Sequence, residues 1–246
     1  MSQFTILHTN DFHSHLSEQA GNFIRDERAK QPNVMLLDAG DAVAAGNMGV
    51  RPFGEPTLVS MTGIGYDAMT MGNREFHIAD LVLRNKIKSA GFPILCANMR
   101  WREDNGTTLP VVPFIIKMIG SYTVGVIGVT VPMVTPKMAA RVVSAYVFED
   151  PVLAVKRSID MIRNDVQFIV ALTHIGIRED ERLATEVPKL NLIIGGHSHV
   201  VLNELKRVNG VSIAQGGWYG HYLGRIDVDM AEEEPLITGR LIGMRN

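Results

Sequence analysis

The segment Leu192-Ile193-Ile194-Gly195-Gly196-His197-Ser198-His199 passes from an apolar run through two glycines into two histidines. A short run of branched apolar residues predicts a buried strand. The glycines allow a tight turn and a close approach to a ligand, and two histidines spaced by two residues leave the same face of an extended backbone. The segment therefore predicts a strand of an α/β sheet with a ligand site at its carboxyl end.

Four other apolar runs end in the same way, each followed by a polar side chain that can bind a metal ion. The runs are Phe4–Leu7, Val34–Leu37, Ala68–Met71 and Phe168–Leu172. With the histidines of the first segment, the candidate ligands are Asp11, His13, Asp41, Asn73, His174, His197 and His199. Because strand carboxyl ends converge in open α/β sheets, these seven side chains predict a binuclear metal site.

Each candidate ligand has an ordinary alternative when it is considered alone. Asp11-Phe12-His13 has period-two spacing, which places both side chains on one face of a strand, but an Asx-type turn explains it equally well. Asp41 and Asn73 are also common turn residues, and a single His174 is more often hydrogen-bonded than metal-bound. Only the whole set, in this order along the chain, favours the metal site. In that site, the two oxygens of Asp41 suit a bridge between ions about 3.5–4 Å apart.

Composition and charge restrict the classes of protein and partner. With 246 residues, of which 46% are hydrophobic and 20% charged, we expect residues 1–246 to form one globular domain. A net charge of -2 gives no electrostatic argument for nucleic acid or a membrane surface as partner. The single Cys96 excludes an intrachain disulfide, no apolar run reaches the roughly 18 residues of a membrane span, and the start has no leader-like pattern. We therefore expect a cytoplasmic protein.

Periodicity and turn residues predict an alternation of helices and strands with mixed sheets. The predicted helices are Ser17–Lys30, Glu55–Gly63, Ile78–Ala90 and Pro151–Asn164. Phe114–Ile119 and Tyr122–Val129 read as a hairpin joined at Gly120-Ser121, and Val211–Ala214 and Leu223–Val228 are predicted late strands. A hairpin among parallel strands makes the sheets mixed.

These motifs resemble the calcineurin-like metallophosphoesterases, specifically the catalytic domain of the 5'-nucleotidase and UDP-sugar hydrolase branch. The segments that carry the resemblance are His8–His15, Asp38–Asp41, Gly65–Met69, Gly72–Phe76, Thr173-His174, Gly195–His199 and Tyr222–Arg225. The resemblance implies an α/β fold with mixed sheets, in which two facing sheets are covered by helices on both sides as a four-layer αββα sandwich.

The resemblance also implies a distribution of ligands and a reaction. One ion is implied for Asp11, His13 and His199, a second ion for Asn73, His174 and His197, and a bridge for Asp41. Without thiolate ligands, the site suits two divalent ions such as manganese, zinc, iron or cobalt. The implied activity is hydrolysis of a small phosphorylated substrate, nucleotide-like or another phosphate ester or diphosphate, by in-line attack of metal-bound hydroxide.

Two positions depart from the family pattern. The residue after the Asn73 ligand is usually a catalytic histidine, and here it is Arg74. Arginine can grip phosphate oxygens together with Asn73 but cannot donate a proton near neutral pH, so hydrolysis of esters with poor leaving groups is expected to be weak. His77 stands where an acidic partner is usual. Either it is the proton donor of an exchanged Arg74–His77 pair, or it is an exposed histidine in the first turn of a helix.

Other hypotheses follow from what the family pattern lacks. The C-terminal nucleotide-specificity domain of the family is expected to be absent, and a homo-oligomer or a partner protein could supply it. A degenerate domain that binds metal and a phosphorylated ligand without turnover is the alternative function, and a purely structural domain is a third. For His8 and His15 we favour hydrogen bonding around the ligands. The late aromatic loop, with Trp218, Tyr219, His221 and Tyr222, either meets substrate or packs internally.

Overall fold

Strands and helices alternate along the chain in a computed structural model that describes residues 3–46, 49, 51, 54–104 and 106–244. The strands are β1 (Gln3–Thr9), β2 (Val34–Asp38), β3 (Ala68–Thr70), β4 (Ile94–Leu95), β5 (Met99–Trp101), β6 (Phe114–Ile119), β7 (Tyr122–Thr130), β8 (Tyr146–Phe148), β9 (Phe168–His174), β10 (Leu192–Gly195), β11 (Lys206–Val208), β12 (Val211–Ala214), β13 (Tyr222–Asp229) and β14 (Leu236–Gly243). The α-helices are α1 (Glu18–Ala29), α2 (Pro56–Ile64), α3 (Asp80–Ile87), α4 (Pro151–Ile162) and α5 (Ile177–Glu186). In the ranges given above, no helix combines the length and apolar character needed to cross a membrane.

Two six-stranded mixed sheets form the centre of the fold. The first has the order β14-β13-β1-β2-β3-β4, and the second has the order β11-β12-β10-β9-β7-β6. In the first sheet β1 pairs parallel with β2 and antiparallel with β13. In the second sheet β9 lies parallel to both β7 and β10, and β6 pairs antiparallel with β7 as the predicted hairpin. Strands β5 and β8 form a separate two-stranded sheet.

Three apolar clusters show the order of the layers. Between the sheets, buried side chains of β1 and β2 such as Ile6 and Leu37 pack with Val170 and Leu172 of β9. A second cluster joins the outer face of the first sheet to helices α1, α2 and α3. A third joins the outer face of the second sheet to α4 and α5. The architecture is therefore the predicted four-layer αββα sandwich.

Local sequence signals explain where the longer helices begin. The Ser17 hydroxyl accepts the backbone N–H of Ala20 at 3.1 Å and caps α1. The Asp150 carboxylate accepts the N–H of Val152 at 2.9 Å, and Pro151 occupies the first turn of α4, where its missing N–H costs nothing. Both signals lie within a residue of the predicted starts.

The predicted helices and the hairpin are confirmed, but several elements were not predicted. Helix α5 follows the Thr173-His174 motif, and most of its ten residues are charged or polar. Its buried positions are Asp180, Leu183 and Ala184, so its apolar stripe is too thin to be recognised from the sequence. Strand β14 and the small β5–β8 sheet were missed because short strands with exposed positions carry little periodicity.

Gly128 of β7 packs directly against Leu95 of β4 in the other sheet, because a Cβ at this position would overlap the side chain and backbone of Leu95. We expect Gly128→Ala to destabilise the fold by about 1–3 kcal/mol through overpacking. The control is Gly63→Ala in α2, where nothing lies within 4 Å of the added methyl and helix propensity should raise stability by about 0.5 kcal/mol. Urea unfolding of both variants checks the prediction, and equal midpoints would contradict it.

Candidate metal centre

Both sheets contribute loops to one edge of the sandwich, and these loops carry the candidate ligands. Asp11 lies two residues after β1, Asp41 three residues after β2, and Asn73 three residues after β3. In the second sheet, His174 is the last residue of β9, and the segment with His197 and His199 follows β10. The carboxyl ends of five strands therefore meet at this edge, as the sequence predicted.

The backbone of these loops is left-handed at five candidate ligands. The φ angles are 54° at Asp11, 47° at His13, 57° at Asp41, 74° at His197 and 56° at His199. Positive φ is uncommon outside glycine and is often found at functional sites. The expectation that Asp11-x-His13 and His197-x-His199 are extended is therefore wrong. The left-handed residues bring Asp11 and His13 together but send His197 and His199 to different groups.

The first group of ligand atoms consists of Asp11, His13 and His199. The Nε2 atoms of His13 and His199 lie 3.0 Å apart. Asp11 Oδ1 lies 3.3 Å from His199 Nε2 and 3.7 Å from His13 Nε2. Asp11 is fully buried whereas the His199 side chain is 40% exposed, so this group is closed at its base and open at its rim.

The second group lies around Asn73 and His174. Asn73 Oδ1 is 3.2 Å from His174 Nε2 and 3.0 Å from His197 Nδ1. Asp41 Oδ1 is 3.4 Å from His174 Nε2, while Asp41 Oδ2 is 3.9 Å from His13 Nδ1 in the first group. The Asp41 carboxylate therefore stands between the two groups.

A backbone carbonyl orients His174, which is fully buried. Its Nδ1 lies 2.7 Å from the carbonyl oxygen of Ala39, so Nδ1–H donates there and Nε2 faces Asp41 and Asn73. Burial opposes a charge on His174, but the hydrogen bond and charge of Asp41 outweigh it and raise the pKa to about 9. A histidine whose second nitrogen donates to a carbonyl is the arrangement typical of metal ligands, where a cation takes the place of the Nε2 proton.

The donor atoms fit a divalent cation. Asp11, His13 and His199 could hold one ion, and so could Asp11, Asp41 and His174, since the ligand atoms of each set lie within 4.8 Å of one another. In the part of the chain that the structure describes, Asp11 Oδ1 and His13 Nδ1 are buried without a hydrogen-bond partner. A buried carboxylate oxygen without a donor is costly, and a cation would remove that cost.

The structure places Arg74 beside the second group and buries His77 ahead of α3. The backbone N–H of Arg74 donates to Asp41 Oδ1 at 2.7 Å, and its guanidinium lies 3.5 Å from Asp41 Oδ2 and donates to the Ala44 carbonyl. His77 is buried, 7% exposed, and lies three residues before α3, so the interpretation as an exposed helical histidine is wrong. Its Nδ1 accepts the N–H of Ala79. In the ranges described here, no hydrogen bond or ion pair joins His77 to Arg74.

Comparison with known proteins identifies a family whose model covers all the candidate ligands. A family model described as calcineurin-like phosphoesterase matches residues 4–201, which include all seven candidate ligands. The chain belongs to the calcineurin-like phosphoesterase family. This family is metal-dependent and hydrolyses phosphoesters, and the Asp and His groups at the sheet edge are of the kind that could bind such a metal.

Relatives of known name lie in the 5'-nucleotidase branch of the family. The chain is 30% identical to the trifunctional nucleotide phosphoesterase protein YfkN of Bacillus subtilis, over 96% of this chain and 19% of that protein. It is 28% identical to the 5'-nucleotidase of Bos taurus, over 96% of this chain and 48% of that protein. A 5'-nucleotidase precursor from Thermus thermophilus has the same fold, with a TM-score of 0.79 at 24% identity over 98% of this chain and 54% of that chain. The chain thus spans about half or less of these relatives.

Three buried polar side chains that the sequence did not single out hold the loops with the candidate ligands in place. Glu75 accepts the N–H groups of Asp41 and Gly72 through Oε2 and that of Val43 through Oε1. Burial, followed by the charge of Asp41, raises the pKa of Glu75 to about 7. Glu75 belongs to the Gly72–Phe76 motif, but two of its partners are about 30 residues away and could not be inferred from that motif.

The other two buried side chains are Asn10 and Lys86. Asn10 Nδ2 donates to Asp11 Oδ2 at 2.8 Å and to the Gly217 carbonyl. The Lys86 ammonium, on α3, donates to the carbonyls of Gly46 and Arg74. Lysine on a surface helix is normally exposed, so no sequence signal would have shown that this one is buried. Together the two side chains fix the loops that flank the ligands.

His8 behaves differently from the hydrogen-bonding role expected for it. It is 1% exposed in β1, lines a small cavity with Ala214 and Ile226, and its Nδ1 has no hydrogen-bond partner among the described residues. Burial lowers the pKa of His8 to about 4. The imidazole is therefore neutral in the folded protein at pH values where an unfolded chain would protonate it.

A pH-dependent loss of stability follows from His8. Between about pH 6.5 and 4 the unfolded chain binds a proton that the folded chain refuses, so stability falls as the pH falls through this window. We expect His8→Gln, which does not titrate, to remove roughly 3 kcal/mol of this loss. Urea unfolding of both proteins from pH 4 to 8 measures it. If the free energy of unfolding depended on pH in the same way in the wild type and in His8→Gln, the assignment of this loss to His8 would be contradicted.

Proposed function

We propose that this protein is a binuclear metal-dependent phosphoesterase that hydrolyses a small phosphorylated substrate. The proposal rests above all on one observation, which is that Asp41 stands between two groups of ligand atoms at the converging strand ends. We assign Asp11, His13 and His199 to one ion, Asn73, His174 and His197 to the other, and Asp41 to both. When bound, two divalent ions activate water and neutralise phosphate charge.

The residues of the chain itself prepare this site in three ways. Ala39 fixes His174 through its carbonyl, which leaves Nε2 directed at the centre. Glu75 and Asn10 hold the loops of Asp41 and Asp11, so the ligand atoms are placed before any ion arrives. Asp11 and His174 are fully buried, so water is excluded around them. The lower local polarity strengthens their attraction for cations.

We assign Arg74 to the phosphate group of the substrate, together with Asn73. Its guanidinium lies at the rim, 37% exposed, next to Asp41. Its planar donors can bind phosphate oxygens in a bidentate way and stabilise the negative charge that grows as the ester bond breaks. Burial lowers the pKa of His77, which favours the neutral ring near neutral pH and weakens the case for His77 as proton donor. The proton-donating role of His77 stays a prediction.

The experiment compares chelator-treated protein with protein reloaded with manganese, zinc, iron or cobalt. Phenyl phosphate, methyl phosphate and a nucleoside 5'-monophosphate are offered separately, and phosphate release is measured. We expect the stripped protein to be inactive and at least one ion to restore turnover. Hydrolysis that survives complete metal removal would overturn the proposal, and so would metal-loaded protein that binds phosphate but releases none from any ester. The identity of the substrate stays a prediction.

A further inference from the structure

The late glycine-rich loop, residues 216–221, is tied to both ligand-bearing segments. The N–H of Gly216 donates to Asn10 Oδ1 at 2.9 Å, and the Gly217 carbonyl accepts from Asn10 Nδ2 at 2.6 Å. The N–H of Tyr219 donates to the carbonyl of Asp11 at 2.9 Å, and that of Gly217 donates to the carbonyl of Val200 at 3.0 Å. The side chains of this loop therefore keep a fixed position relative to Asp11 and the His197–His199 segment.

Two aromatic rings of this loop stand against the histidines of the first group. Trp218 is half-buried and stacks on His199, with ring centroids 5.7 Å apart and an interplanar angle of 23°. Tyr219 packs edge-on against His13 at 5.6 Å and lies 4.2 Å from the ring of His15 at 33°. We name Trp218, Tyr219 and His15 the aromatic wall.

Tyr219 also contacts the rings of Trp218 and His221, yet its side chain remains more exposed than that of Trp218. Tyr219 is 38% exposed at the open rim of the first group. Its φ angle is 57°, a left-handed conformation that is unfavourable for a bulky residue and common at functional positions. Tyr222, by contrast, lies in β13 with its backbone in the sheet. A strained backbone that presents a large ring at the rim of a site is better explained by a ligand than by the core.

We propose that the aromatic wall is a binding subsite for a planar aromatic group carried by the phosphate ester. The inference deepens the proposed function and rests on it, because the phosphate must lie at the ligand groups for its substituent to reach the wall. A flat ring can stack on Tyr219 or meet its edge, whereas a short alkyl group cannot. Two sources share this chemistry: an aryl ring directly on the ester oxygen, and the base of a nucleotide.

The test uses phosphonates, which bind without being hydrolysed, so that it does not depend on turnover. Calorimetry on manganese-loaded protein gives the Kd of phenylphosphonate, methylphosphonate and a nucleoside 5'-phosphonate. Stacking of one ring is worth about 5- to 150-fold in affinity. We expect the wild-type protein to prefer at least one aromatic ligand over methylphosphonate by a factor in this range. The ligand that shows the preference identifies the source.

Variants at Tyr219 separate the ring from the backbone. Tyr219→Asn removes the ring but tolerates the left-handed backbone, and it should abolish the preference, whereas Tyr219→Phe should retain it. The control is Tyr122→Asn, at the first residue of β7, where the ring packs on Phe4. The preference for an aromatic ligand should persist in this variant. Equal affinities for all three ligands, or a preference that survives in Tyr219→Asn, would overturn the subsite. Hydrolysis of phenyl and methyl phosphate by the same protein tests the proposed function separately.

Discussion

Replacing Asp41 with asparagine is expected to lower kcat/KM for phosphate esters by about 10³-fold. Its carboxylate faces His174 with one oxygen and His13 with the other, and the amide would remove the negative charge that the two proposed cations would share. Loss of one ion removes several kcal/mol of charge stabilisation in the transition state, which corresponds to a factor of this size. Steady-state kinetics and metal content, measured on the same preparation, check the effect.

The matched control is Asp160→Asn, which makes the same chemical change at an exposed position of α4. It should keep full activity and metal content. Thermal unfolding of Asp41→Asn separates loss of the ion from loss of the fold, because Asp41 also accepts the N–H of Arg74. Two ions per chain and wild-type kinetics in a folded Asp41→Asn protein would refute the bridging role.

Replacing Arg74 with histidine is expected to raise the hydrolysis of methyl phosphate relative to phenyl phosphate by about 10²–10⁴-fold. A histidine at this position can donate a proton to the leaving oxygen, whereas arginine cannot. A phenolate leaves with little help, so the gain should fall mainly on the alkyl ester. The ratio of kcat/KM for the two esters in wild type and variant is the measurement.

Arg74→Gln distinguishes the electrostatic role from the acid role. If Arg74 grips phosphate, this variant should lose activity on both esters by a similar factor, because the stabilised charge is on the phosphate in each case. His77→Ala completes the set. A collapse of activity on the alkyl ester alone would support the exchanged Arg74–His77 pair. Unchanged ester ratios in Arg74→His would show that proton donation does not limit the reaction.

The strands, and the convergence of the candidate ligands at one sheet edge, could be predicted because both leave local signals. Val34–Leu37 and Leu192–Ile194 are continuous apolar runs, as expected for strands buried on both faces, and β2 and β10 are almost fully buried. Val34–Leu37 stops at Asp38, a residue type that is costly to bury without a partner, and Leu192–Ile194 leads through two glycines to His197. The family resemblance then supplied the αββα order of layers, which the apolar clusters confirm.

What the sequence did not reveal depends on contacts between distant segments. The family resemblance implied separate groups for His197 and His199, but a period-two rule cannot detect the left-handed backbone at these two residues. Lys86 belongs to the polar part of a short helix, yet it is buried because two loops close over its ammonium. His77 was given two alternatives, and its burial removes the exposed one. Such features are decided by tertiary packing and not by local propensity.

A crystal structure of the protein with excess manganese, with anomalous scattering used to locate the ions, tests the central claim most directly. We predict two manganese ions about 3.5–4 Å apart, with Asp41 bound to both. Asp11, His13 and His199 should bind one of them, and Asn73, His174 and His197 the other. A single ion, or ions bound elsewhere while Asp11 and Asp41 bind none, would contradict the account.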